Sequence, residues 1–144
     1  MPILDFIDTP RYWFLINVIH AFLLGPVLLY TGWTLLKDST LNSTIKDLLP
    51  FVGAVIIAYH SIRAYQKYTE YQERFGQVSL QEMFAEYGFQ VNLAHLLFIG
   101  PLIAWVGFKL SNGRSVTQLE KLLLVILGGA GTVYHTLSAY RKWF

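Results

Sequence analysis

The chain contains no cysteine, and only 14% of its 144 residues are charged. The first absence excludes disulfides, thiolate metal ligands and thiol nucleophiles. The second sets it apart from soluble domains, in which about 25% of residues are charged. Asp, Glu, Lys and Arg are missing from 12–36, 48–62, 87–108 and 122–140. A net charge of +2 with no basic stripe argues against a nucleic-acid partner. No phosphate loop, carboxylate pair or nucleophile–base pairing is visible, so the sequence leaves open whether the chain is an enzyme.

What is present is oil. Hydrophobic residues make up 54% of the chain and the mean hydropathy is +0.43. Three of the charge-free runs approach the ~20 residues that cross a bilayer. The shorter run, 48–62, is flanked by Lys46, Arg63 and Lys67, whose long stems can carry their charges outward. These features predict an all-α integral membrane protein of four helices, with the lipid bilayer as its main partner. Thr9-Pro10 reads as a helix N-cap followed by proline in the first turn. Ser79–Glu82 and Thr117–Glu120 read as capping boxes, and Gly76 and Asn112-Gly113 as helix stops. Lys37–Asp47 reads as a polar loop. The acidic segment before Thr9 is not expected to be a cleavable leader.

Two stretches 75 residues apart carry one pattern. Residues 11–35 align without a gap on 86–110, placing Asn17, His20, Gly25, Pro26 and Gly32 on Asn92, His95, Gly100, Pro101 and Gly107. Residues 53–68 align on 128–143, placing Tyr59-His60 on Tyr134-His135. The expected architecture is a single membrane domain, 1–144. It is a four-helix up-down bundle built from a duplicated hairpin, repeat 1 at 11–68 and repeat 2 at 86–143.

All four histidines fall inside this repeat. His20 and His95 lie nine residues inside Arg11 and Glu86, and His60 and His135 lie seven inside Lys67 and Lys142. At 1.5 Å per residue, all four sit about 10–14 Å below one membrane edge. His20 and His60 are therefore expected to face each other, within one hairpin or across the bundle, at a depth shared with His95 and His135. Neutral imidazole is the commonest metal ligand, so His20, His60, His95 and His135 are candidate ligands of a metal centre. Haem b leads, for electron transfer, with a divalent transition metal as the other occupant. For haem, Gly53 and Gly128 supply small faces, and Arg63, Lys67, Arg141 and Lys142 are placed to meet propionates. Two readings need no cofactor. In one, a structural membrane protein uses the histidines as interhelical hydrogen bonds. In the other, the histidines gate a proton or ion pathway. Gly25-Pro26 and Gly100-Pro101, just past two of the histidines, predict bends in their helices.

The pattern His-x4-Gly-Pro followed one helix later by Tyr-His resembles short, uncharacterised membrane proteins of large DNA viruses of algae and protists. The motif occurs in both halves, at His20-Gly25-Pro26 with Tyr59-His60 and at His95-Gly100-Pro101 with Tyr134-His135. That resemblance implies a virion or host-cell membrane and a virion partner, and it brings no activity. Cytochrome b-type bundles are similar in pairing histidines on antiparallel helices, which implies a redox partner. Diheme members separate their haems across the membrane, whereas the layer here is single. A homo-oligomer is also compatible. Orientation stays open, because six basic residues on one side oppose five on the other. The sequon Asn42-Ser43-Thr44 would suit a lumenal loop.

Overall fold

A computed structural model describes residues 9–77 and 79–143. Among these, all regular structure is helical. In chain order the elements are α1 (Pro10–Ile19), a π-turn (His20–Leu24), α2 (Gly25–Leu36), α3 (Ser43–Phe75), α4 (Leu80–Ala85), α5 (Tyr87–Ala94), a second π-turn (His95–Ile99), α6 (Gly100–Ser111) and α7 (Gln118–Trp143). Four continuous spans are long and apolar enough to cross a membrane: 11–36, 43–75, 87–111 and 118–141. Only 17–28% of the apolar window of each span is buried within the fold. Large side chains such as Phe22, Phe51 and Phe98 point outward. Burying such surface in lipid is favourable, whereas water would penalise it at about 25 cal/mol per Å². The chain has the character of a multi-pass membrane protein.

The helix ends follow local chemistry. The Thr9 hydroxyl accepts from Tyr12 N–H at 3.2 Å, with Pro10 beside it in the first turn. Both capping boxes close: Ser79 N–H donates to Glu82 at 2.8 Å, and Thr117 N–H donates to Glu120 at 2.7 Å. Val78, just before the first box, lies outside the described residues. Gly76 and Gly113 end their helices at positive φ, +80° and +64°. Asp38, 75 residues before Gly113, takes the same left-handed turn at φ 52°. Asx residues tolerate that region better than most.

Two boundaries differ from expectation. α3 begins at Ser43, several residues before the expected end of the loop, because the Asn42 side chain accepts from Thr44 N–H at 2.8 Å and caps it. At 33 residues α3 is about 50 Å long, well beyond a ~30 Å hydrocarbon core. Before the third span, the extended backbone of Glu86 separates α4 from α5, and its carboxylate caps Phe89 N–H. The Gly-Pro pairs lie inside continuous helical spans. Each follows a π-turn that opens at the histidine, and Gly25 N–H reaches back to His20 O, as Gly100 N–H does to His95 O. Pro26 and Pro101 follow directly, so the wider π-turn comes just before the N–H that each proline lacks within the span.

The contacts divide the chain into two units, Met1–Leu41 with Thr117–Phe144, and Asn42–Val116. In unit 1, α1 and α2 pack antiparallel against α7. In unit 2, α5 and α6 pack antiparallel against α3. Each pair thus joins one helix from each half of the sequence repeat, and not the two helices of one repeat. The buried residues correspond at the 75-residue offset. Leu28, Thr31, Leu124 and Ala139 in unit 1 match Ile103, Val106, Leu49 and Ala64 in unit 2.

Glycine sets the closeness of both pairs. A methyl group at Gly128 would overlap the Leu29 backbone, and one at Gly53 would overlap Ala104. Gly32 abuts Val125 and Lys121, and Gly107 abuts Pro50 and Leu49. In unit 2 the close approach also repairs a backbone defect. Pro50 has no N–H, which leaves the carbonyl of Lys46 without its helical donor. The Ser111 hydroxyl lies 2.9 Å from Lys46 O and 2.9 Å from its own helix's Gly107 O, and it can donate to either.

Candidate histidine–asparagine clusters

Asn17 on α1 and Asn92 on α5 are buried one turn before their histidines. A buried amide in an apolar span must have its hydrogen bonds made. The Asn17 Nδ2 donates to Trp13 O at 2.7 Å, and the Asn92 Nδ2 donates to Gly88 O at 2.6 Å. Each amide oxygen therefore turns to the partner helix. There His135 Nδ1 meets Asn17 Oδ1 at 2.8 Å, and His60 Nδ1 meets Asn92 Oδ1 at 2.8 Å. The other two histidines bond their own helices, His20 Nδ1 to Ile16 O at 2.7 Å and His95 Nδ1 to Val91 O at 2.8 Å.

All four partners are carbonyl or amide oxygens, which only accept. Each Nδ1 must therefore carry the hydrogen, and in the neutral ring Nε2 holds the lone pair. The sequence alone shows four histidines; the partners select one tautomer for all of them.

The rings also pair. His20 and His135 lie 4.4 Å apart between centroids with planes at 32°, and His60 and His95 lie 4.2 Å apart at 19°. The preceding tyrosines stand edge-on, Tyr134 to His135 at 5.0 Å and Tyr59 to His60 at 4.8 Å. Each unit thus holds one Asn–His–His cluster, drawn from both halves of the sequence. The expected facing of His20 and His60 is corrected, since His20 meets His135 and His60 meets His95. Antiparallel packing runs between α1 and α7 and between α3 and α5, so each histidine meets its partner from the other repeat.

Among the described residues no group of three or more His, Cys, Asp or Glu side chains is placed to hold a metal ion. The stacked rings of His60 and His95 direct their in-plane lone pairs along nearly parallel planes, and not toward a common point between them. A haem held by both rings of one pair would need them on opposite faces of the macrocycle. At 4.2–4.4 Å, between helices in glycine contact, no macrocycle fits between the paired rings. Gly53 and Gly128, expected to flank a haem, instead seat Ala104 and Leu29, because the missing side chains let the helix backbones touch.

The basic residues proposed for propionates have other surroundings. Arg63 is only 3% exposed and its Nη1 donates to Gln66 Oε1 at 2.9 Å. Lys67 pairs with Glu70 at 2.7 Å. Arg141 is exposed, and the Lys142 side chain lies outside those described. Sequence reasoning offered Asn17 and Asn92 as hydrogen-bond partners of the histidines, and the structure shows which ring each amide meets. Their place one turn before a histidine was the available signal. Comparison with protein-family models, curated proteins and solved structures gives no match.

Proposed function

We propose that the chain is a structural multi-pass membrane protein, built from a duplicated hairpin as an up-down bundle, in which each Asn–His–His cluster clasps two spans within the bilayer. The observation that carries this reading is the pair of cross-helix His–Asn hydrogen bonds, both 2.8 Å, in the middle of apolar spans. Interhelical polar bonds of this kind contribute about 0.6–2 kcal/mol in membranes. Stacked imidazoles and glycine contacts add packing that lipid cannot supply. The 75-residue correspondence of partners supports the duplication. A resemblance to viral membrane proteins makes a virion or host-cell membrane the natural setting for such a scaffold.

The experiment is an absorbance spectrum and metal analysis of protein purified after expression with haem and transition metals supplied. The structural reading expects a colourless, metal-free protein, in which Asn17→Ala or Asn92→Ala lowers thermal stability. A second reading, transition-metal coordination through Nε2, is favoured by one observation. Every Nδ1 donates to an oxygen, the outer-shell arrangement that orients metal-ligating histidines. It requires the stacked rings to turn apart. Stoichiometric metal lost on His60→Ala or His135→Ala would establish it and overturn the structural reading.

A further inference from the structure

The two interfaces share their glycines but not the residues packed over them. In unit 1, a methyl group added at Gly25 would meet Thr132, and one added at Gly128 would meet Leu29. In unit 2, methyl groups at the matching Gly100 and Gly53 would meet Ile57 and Ala104. Gly25 and Leu29 are four apart on one helix, as are Gly128 and Thr132 on the other, so each couple shares a face. The antiparallel helices therefore meet through a quartet of two glycines and two larger residues. The Thr132 side chain is fixed further, because its hydroxyl donates to Gly128 O at 2.7 Å. Leu29 is 36% exposed, so most of its surface is covered.

The 75-residue offset makes the quartets directly comparable. Leu29 corresponds to Ala104, and Thr132 corresponds to Ile57. The bulk has moved from one helix to the other. In unit 1 the large side chain is on α2 and the smaller one on α7. In unit 2 the large side chain is on α3 and the smaller one on α6. Each quartet thus holds one large and one small residue, a combination that keeps its volume similar. With the backbones in contact at the glycines, an interface of this kind has no slack for a second large side chain.

We propose that this exchange of bulk selects the helix partners. Leu29 and Thr132 match α2 to α7, and Ala104 and Ile57 match α6 to α3. The opposite choice, α2 with α3 and α6 with α7, would set Leu29 beside Ile57 and Ala104 beside Thr132. The first combination is overpacked and the second forfeits contacts. The clusters themselves cannot make the choice, because their Asn, His and Gly residues are the same in both repeats. The size match therefore decides which histidine each asparagine meets. It rests on the structural reading of the clusters and adds the rule by which the spans find one another.

The test uses the full chain in detergent micelles and reads the nitrogen-15 signals of the histidine rings. Ile57→Thr combined with Thr132→Ile leaves the composition unchanged and reverses the size match. In the otherwise wild-type chain, Asn17→Ala is expected to change His135. In the exchanged chain, the same Asn17→Ala is expected to change His60. A response still confined to His135 overturns the selection rule. Thermal denaturation supplies the second measurement, which decides the matter even if the exchanged chain folds poorly. Thr132→Ile alone should raise the unfolding equilibrium constant about tenfold through overpacking, and adding Leu29→Ala should return most of that loss. Additive losses from Thr132→Ile and Leu29→Ala overturn the size match. If Asn17→Ala changes no histidine in the otherwise wild-type chain, the clasp reading itself fails, which is a separate and recognisable result.

Discussion

Unit 1 and unit 2 place the same geometry on different chemistry. Both have the Asn–His–His cluster, the glycine contacts and the left-handed turn at corresponding positions. They diverge where Thr31 faces the interface in one and Val106 in the other, and where Ser138 in one corresponds to the buried Arg63 in the other. Unit 2 also carries Pro50, with Ser111 covering the carbonyl it frees, whereas the matching residues in unit 1 are Val125 and Leu36. The conserved geometry marks what holds two helices together in lipid. The divergent residues mark what that framework tolerates. Close backbone approach is the less negotiable of the two, because a side chain cannot share space with a neighbouring backbone.

The strongest way to break the parallel is at the glycines. Gly53→Val and Gly128→Val are each expected to destabilise their helix pair by about 3 kcal/mol through overpacking. Gly129→Ala should be neutral or stabilise by up to about 1 kcal/mol, because nothing lies within 4 Å of the added methyl. Thermal denaturation in detergent micelles would separate these. Equal tolerance of Gly128 and Gly129 would refute the packing account.

Next come the asparagines. Asn17→Ala and Asn92→Ala each leave a ring N–H without its oxygen, at a cost of about 1–2 kcal/mol. Nitrogen-15 spectra of the histidine rings should show His135 changing in the first variant and His60 in the second. If each variant perturbs the other histidine instead, the assignment of partners fails.

Two hydroxyls sharpen the comparison further, in opposite directions. Ser111→Ala should cost about 1 kcal/mol, because Pro50 has already removed the helical donor to Lys46 O. Thr31→Val should be neutral or gain about 1 kcal/mol. The Thr31 hydroxyl is fully buried with no hydrogen-bond partner among the described residues, and valine already fills the matching position 106. A loss on Thr31→Val would show that unit 1 uses a bond its partner unit lacks.

The smallest effect concerns Asp38. Its bond to the Lys121 ammonium holds the carboxyl below the ordinary carboxylate value. A depressed folded-state value contributes stability above the unfolded value, and that contribution disappears as pH falls through the folded one. The pair is exposed, so the gain is small and fades with salt. Asp38→Asn should flatten this slight acid dependence in melting curves taken at low salt.

Much of this was legible in the sequence, for physical reasons that act locally. Charge-free runs fix where a chain can enter lipid, because an isolated charge there is costly. Thr9, Ser79 and Thr117 announce helix starts because a cap satisfies donors only three residues away. The 75-residue correspondence of Asn17, His20 and Gly25 with Asn92, His95 and Gly100 marks equivalent positions. The tertiary structure decided who meets whom. Equivalent helices present similar faces, so the sequence pattern does not say which of them α1 meets, and the packed chain sets it against α7. That selection places His135 against His20 and turns Gly53 and Gly128 into contact surfaces. It also brings each Asn oxygen to one particular ring nitrogen: spacing puts each Asn one turn from a histidine, but which ring it reaches depends on three-dimensional approach.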